Sequence, residues 1–135
     1  MTTFNLEIIT PDGFFFKGET ENIIVRTTVG DKGILARHEN YTAALATGKI
    51  RVLQDGEYRV AALSSGIIKV AGDKTLILAQ SCEWGDEINI ERAEKARHVA
   101  EERLHDPLLS HNEHDVAEFK LRRALNRLDA AGKGN

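Results

Sequence analysis

Cysteine is nearly missing from this 135-residue chain: Cys82 is alone, so no internal disulfide staples the fold. Proline occurs only at positions 11 and 107, and aromatics make up 6% of the residues. No stretch of 18 apolar residues occurs, so no helix is expected to span a bilayer. The opening Met1-Thr2-Thr3-Phe4-Asn5 lacks the basic start and apolar core of a secretory signal, which points to a cytosolic protein. There is no excess of positive charge either. A net charge of −3 and a pI near 6.0 argue against a general nucleic-acid binder. Neither a phosphate-binding glycine loop, a dinucleotide fingerprint nor a nucleophile motif is present, so catalysis by this chain alone is not expected.

What the chain does contain is divided unevenly. Nine of its eleven glycines and seven of its eight aromatics lie before Asp86, and no glycine falls between Asp86 and Ala131. Glycine punctuates turns and weakens helices, so the split predicts a β domain over 1–85 and a helical domain over 86–135. Seven short runs read as strands: Phe4–Thr10, Phe14–Phe16, Asn22–Thr28, Lys49–Leu53, Tyr58–Leu63, Ile67–Val70 and Thr75–Ala79. Pro11-Asp12-Gly13, Asp55-Gly56 and Gly72-Asp73 mark turns between them, and Asp55-Gly56 is the clearest hairpin signal. Many short strands at this spacing predict an antiparallel sandwich or small barrel. Phe14-Phe15-Phe16 fits either a strand packed on both faces or an exposed docking patch.

After Asp86 the period becomes helical. Ala93, Ala96, Ala100 and Leu104 form one stripe; Ala117, Leu121, Ala124, Leu128 and Ala131 form a second. Asn89 stands at the first helix's N-cap position, Pro107 after His105-Asp106 ends that helix, and Gly132 closes the second. Two helices with a short connector predict an antiparallel hairpin. Alanine stripes bury little area, so the hairpin should be held weakly and be able to occupy a second position.

Several segments narrow the family. Gly33-Ile34-Leu35-Ala36-Arg37-His38, then Leu45-Ala46-Thr47-Gly48-Lys49-Ile50-Arg51-Val52, resemble the turn and following strand of epsilon subunits of bacterial F-type (rotary) ATP synthases. The family's usual Pro-Gly is replaced here by Ala36-Arg37. Thr10-Pro11-Asp12-Gly13, Ser65-Gly66, Leu78-Ala79-Gln80, Arg92-Ala93 and the run Leu121–Leu128 match the same pattern in order. The resemblance implies a ten-stranded antiparallel β-sandwich followed by a two-helix domain. It also implies a seat on the gamma subunit and the c-ring at the cytoplasmic face of the bacterial cell membrane, where proton-driven rotation is linked to ATP synthesis. Such a subunit would be non-catalytic and need no cofactor. Its helices would fold down in one state, and in another extend along gamma towards the alpha and beta subunits and block hydrolysis.

Some members of that family bind ATP between sandwich and hairpin through an Ile/Leu-Asp-x-x-Arg-Ala motif. The matching residues are Ile88, Asn89, Arg92 and Ala93, with Arg123 and Arg127 on the second helix and Glu83 just before. Arginines four apart share a helix face and suit a phosphate chain, although surface arginines are usually solvated or paired. Asn89 stands in the aspartate position, which predicts weaker ATP binding. Lys120, Arg122, Arg123 and Arg127 form one compact basic patch, to which the resemblance assigns an inhibitory role facing an acidic loop of the beta subunit. His98, His105, His111 and His114 cluster near the connector; a metal site or pH switch is conceivable, but solvated loop histidines are the expectation. Cys82 is expected to be a small packing residue. A stand-alone ATP sensor and a generic adaptor are the rival readings.

Overall fold

The computed structural model describes residues 2–132; the last three positions of the helical segment, 133–135, lie outside the described residues. Eight strands come first: β1 (Phe4–Thr10), β2 (Gly13–Thr20), β3 (Asn22–Thr27), β4 (Gly30–Leu35), β5 (Tyr41–Leu45), β6 (Gly48–Gln54), β7 (Glu57–Ala71) and β8 (Lys74–Trp84). A 3-10 turn at Gly85–Glu87 leads into α1 (Ile90–Leu104) and α2 (His111–Ala130). The strands are hydrogen-bonded in the order β2-β1-β8-β7-β5-β3-β4, with β6 bridging β3 and β7.

Ten strands become eight because β7 and β8 each run through both layers. The first half of β7 pairs with β6 and its second half with β5, while β8 pairs with β7 along its length and with β1 only over its first half. The bend sits at Ser65-Gly66: Ser65 has φ 23°, and a Cβ on Gly66 would lie 2.1 Å from the Leu78 carbonyl oxygen. Glycine is required there by close approach of the next strand. The sandwich is also not wholly antiparallel, since β1 runs parallel to β8.

Alternation fixes which side faces in. Phe4, Leu6 and Ile8 of β1 and Ile50 and Val52 of β6 enter the same core as Ile23, Val25, Ile68 and Ile77. At Asp55-Gly56 both residues have positive φ, 51° and 80°, as a tight I′ hairpin turn demands. β4 and β5 escape the sequence reading because Gly30-Asp31-Lys32-Gly33 and Ala43-Ala44 carry weak strand preferences. Pairing with β3 and β7, and the complete burial of Ile34, override them.

A bulge opposite Ile8 and Ile9 leaves Phe15 as the extra residue of β2. Phe15 and Phe16 consequently both reach Trp84, with ring centroids 4.8 and 6.2 Å away, while Phe14 is 58% exposed. The triple phenylalanine thus serves both packing and surface. Cys82 is a packing residue, and burial pushes its thiol pKa up to about 12.

Asn89 caps α1, its Oδ1 accepting the Arg92 N–H at 3.0 Å. Ser110 and Glu113 form a reciprocal capping box on α2. Gly132, at φ 81°, follows the end of α2 and donates its N–H to the Asp129 carbonyl. Ala93, Ala100, Ala117, Ala124 and Leu128 are buried, but Ala96 stays exposed and lines an open cleft between the two helices. A small cluster of Ala62, Ile88, Ala93 and Leu128 joins hairpin to sandwich. Among the described residues no helix is long and apolar enough to cross a membrane.

Candidate functional site

The candidate site is built where the far end of α2 returns to the sandwich. Leu128 is the one large helical side chain among the described residues that is fully buried, which stabilises docking by about 1.5–3 kcal/mol. The rest of the attachment is polar. The Asn126 amide donates to two backbone carbonyls, Gly48 at 3.0 Å and Leu63 at 3.2 Å. Asp129 pairs with Lys49 of β6 at 3.0 Å. Arg127 Nη2 donates to Glu83 Oε2 at 3.2 Å, while its Nε lies 2.6 Å from Oε1 without the alignment of a hydrogen bond. Gly85 lets the chains meet: a Cβ there would lie 2.1 Å from the Ala130 carbonyl oxygen.

The junction between the two parts is pinned separately. Arg59 stacks 4.0 Å from the Trp84 ring and pairs with Asp86 at 3.0 Å and Glu87 at 3.2 Å. The hydrogen bond from Arg59 holds the Asp86 carboxyl below its ordinary range, and the guanidinium is raised in turn.

Between the helices lies a cleft of about 420 Å³, within the range of small-molecule sites. Its floor is Ala96, Val99, Ala100, Ala117 and Ala124. Its walls carry Arg92, Lys95 and Arg103 from α1 and Lys120, Arg123 and Arg127 from α2. Arg103 is tied to Glu113 at 2.7 Å and Arg127 to Glu83, whereas no carboxylate partner lies within ion-pair distance of Arg92, Lys95, Lys120 or Arg123 among the described residues. An apolar floor under unpaired cations suits an anion with a flat apolar part. A crevice beside it is lined by Ser64, Ser81, Glu83, Arg123, Asn126 and Arg127. The Ser64 hydroxyl, on a residue 4% exposed, has no hydrogen-bond partner among the described residues.

Of the residues singled out in the sequence, Arg92, Arg123 and Arg127 converge on the cleft, and Glu83 reaches it through Arg127. Ile88 and Ala93 are buried in the joining cluster, and Asn89 is occupied in capping α1. The four-residue basic patch divides: Lys120, Arg123 and Arg127 face the cleft, whereas Arg122 is exposed and does not line it. Spacing explains this, since 120, 123 and 127 step along one face and 122 lies on another. Sequence reading missed Asn126, Lys49 and Asp129. A lone amide and two surface charges carry no local signal of a contact 78 residues away.

A second surface sits on the layer formed by β2, β1, the first half of β8, the second half of β7 and β5. Adjacent strands place Ala44, Ile67, Leu78, Ile9 and Phe14 in one register row across β5, β7, β8, β1 and β2. Ile67, Leu78 and Phe14 are 51%, 46% and 58% exposed. Exposed apolar rows of this kind on an outer sheet face are commonly found where proteins meet partners.

Residues 3–85 match the family model for the β-sandwich domain of the ATP synthase delta/epsilon chain, and residues 86–132 match its long α-helix domain. The chain is 40% identical over 134 residues to an ATP synthase epsilon chain of Ruminococcus albus, covering 98% of this chain and 99% of that one. It is 41% identical over 135 residues to one of Bacillus pumilus, covering 98% and 100%. Its structure resembles a chain of the Euglena gracilis mitochondrial ATP synthase OSCP/F1/c-ring assembly, with TM-score 0.83 and 25% identity over 97% of this chain and 82% of that one. With both family models matched end to end and relatives at this identity over the whole chain, the protein belongs to the ATP synthase delta/epsilon chain family as an epsilon chain.

Proposed function

We propose that this chain is a non-catalytic regulatory subunit of the central stalk of an F-type ATP synthase, peripheral to the cytoplasmic face of a bacterial membrane. The sandwich seats on the gamma subunit and the c-ring, and the apolar row across β2, β1, β8, β7 and β5 supports that docking role. The hairpin restrains ATP hydrolysis by leaving the sandwich and extending towards the alpha and beta subunits. The observation that carries this reading is the sparse seam: one buried leucine, one amide and two ion pairs hold α2 down. An element attached so lightly can exchange between two positions when a partner or ligand favours one.

ATP is the ligand that favours the docked position. Its base fits the alanine floor, and Arg92 and Arg123 meet its phosphates as planar, permanently charged donors. Arg127 joins them on exchanging Glu83 for phosphate, and the unpartnered Ser64 hydroxyl offers one more donor at the seam. Replacing Arg122, Arg123 and Arg127 together by alanine should raise ATP hydrolysis by the assembled enzyme. Hydrolysis at the unmodified rate, with the variant present in normal amount, would remove the basic face from the inhibitory mechanism.

A further inference from the structure

The histidines set aside in the sequence reading do not all scatter into the connector. His111 and His114 lie in the first turns of α2, with Asp115 and Glu118 on the same face at the i, i+3, i+4 and i+7 positions. His111 Nε2 is 3.5 Å from Asp115 Oδ2, and His114 Nδ1 is 3.5 Å from Glu118 Oε1. One donor atom each from His114, Asp115 and Glu118 lies within 4.8 Å of the others. Tetrahedral zinc with bonds of about 2.0–2.1 Å separates its donors by about 3.3 Å. Each 3.5 Å pair stands at nearly the donor spacing that one ion imposes; His114, Asp115 and Glu118 form the compact group, and His111 adjoins it through Asp115. Neither Asp115 nor Glu118 is paired with a lysine or arginine among the described residues, so no cation has to be displaced.

We propose that His111, His114, Asp115 and Glu118 form a surface site for one borderline divalent transition metal of the zinc class. The donor chemistry selects the class. Two imidazoles favour zinc, cobalt or nickel, whereas calcium and magnesium prefer all-oxygen shells. The ion would link the first two turns of α2 and stabilise the tip-end half of the hairpin, at the end away from the seam that holds it to the sandwich.

The test is calorimetric titration of the full-length chain with zinc chloride in a non-coordinating buffer, with cobalt absorption as a second readout. The expected result is one ion per chain, tetrahedral cobalt bands, and at least tenfold weaker binding in His114→Ala and in Asp115→Asn. His98→Ala, on α1, should bind as the unmodified chain does. Because all four side chains are exposed, circular dichroism should show each variant folded. Absence of one-to-one binding, binding unaffected by His114→Ala, or equal binding of magnesium would overturn the assignment.

Discussion

Replacing Asn126 by alanine isolates the seam, because among the described residues the hydrogen bonds of this amide go to the sandwich backbone and it does not line the interhelical cleft. Its Nδ2 donates to the carbonyls of Gly48 and Leu63 at 3.0 and 3.2 Å in a partly buried setting. Each such hydrogen bond has a net worth of about 0.5–1.5 kcal/mol. Losing both should shift the docked–released equilibrium by about 1–3 kcal/mol, which is about five- to 150-fold in population. The assay is amide hydrogen exchange on the isolated chain, comparing α2 with β1 and β8. The α2 amides should exchange faster by that factor, while the sandwich core, with Leu6, Ile8 and Ile77 fully buried, should be unchanged. In the assembled enzyme the same variant should hydrolyse ATP more slowly, since more of the hairpin is free to extend. If α2 exchange is unaltered, the amide does not secure the hairpin and the weak-seam account fails at its best-defined contact.

Two other perturbations address the junction and the ligand. Asp86 and Arg59 should make the junction acid-sensitive. Asp86's lowered pKa means that the pairing is complete above the ordinary value of 3.8 and is lost as pH falls through the lowered one. The fluorescence of Trp84, stacked on Arg59, should show this transition, and Asp86→Asn should abolish it; an identical titration in that variant would assign it elsewhere. Asn89→Asp should tighten ATP binding about ten- to a hundredfold by restoring a charge-assisted contact while keeping the helix cap. Calorimetry giving equal or weaker binding would show that the aspartate position is purely a cap here.

Most of the architecture was legible because it rests on local patterning. The glycine and aromatic boundary at Trp84, the Asp55-Gly56 turn, the Asn89 cap and the Gly132 stop are each decided by a few neighbouring residues. β4 was not legible, since its glycines and charges form a strand only because β3 offers a ladder beside it. The merging of Tyr58–Leu63 and Ile67–Val70 into β7, the extension of Thr75–Ala79 to the full length of β8, and the parallel β1–β8 pair depend on contacts across the fold. The cleft was half legible. Helical periodicity brings Arg123 and Arg127 to one face, but their distribution between a carboxylate and open space is set by Glu83 on a distant strand. The capping box at Ser110 and Glu113 was written plainly in the sequence as Ser-x-x-Glu and was not read. Nothing local distinguishes Asn126 from any exposed helix residue, because its role comes from where α2 lands.

On the proposed mechanism the hairpin must leave the sandwich to inhibit. Lys49 and Asp129, 3.0 Å apart, can be joined into an amide by a zero-length carbodiimide cross-linker, fixing α2 in the docked position. Asp129→Asn, which cannot form that link, controls for other modification. The cross-linked chain, verified by mass spectrometry and added back to enzyme lacking this subunit, should assemble normally yet leave ATP hydrolysis uninhibited. Inhibition by the cross-linked chain equal to that of the free one would contradict the account.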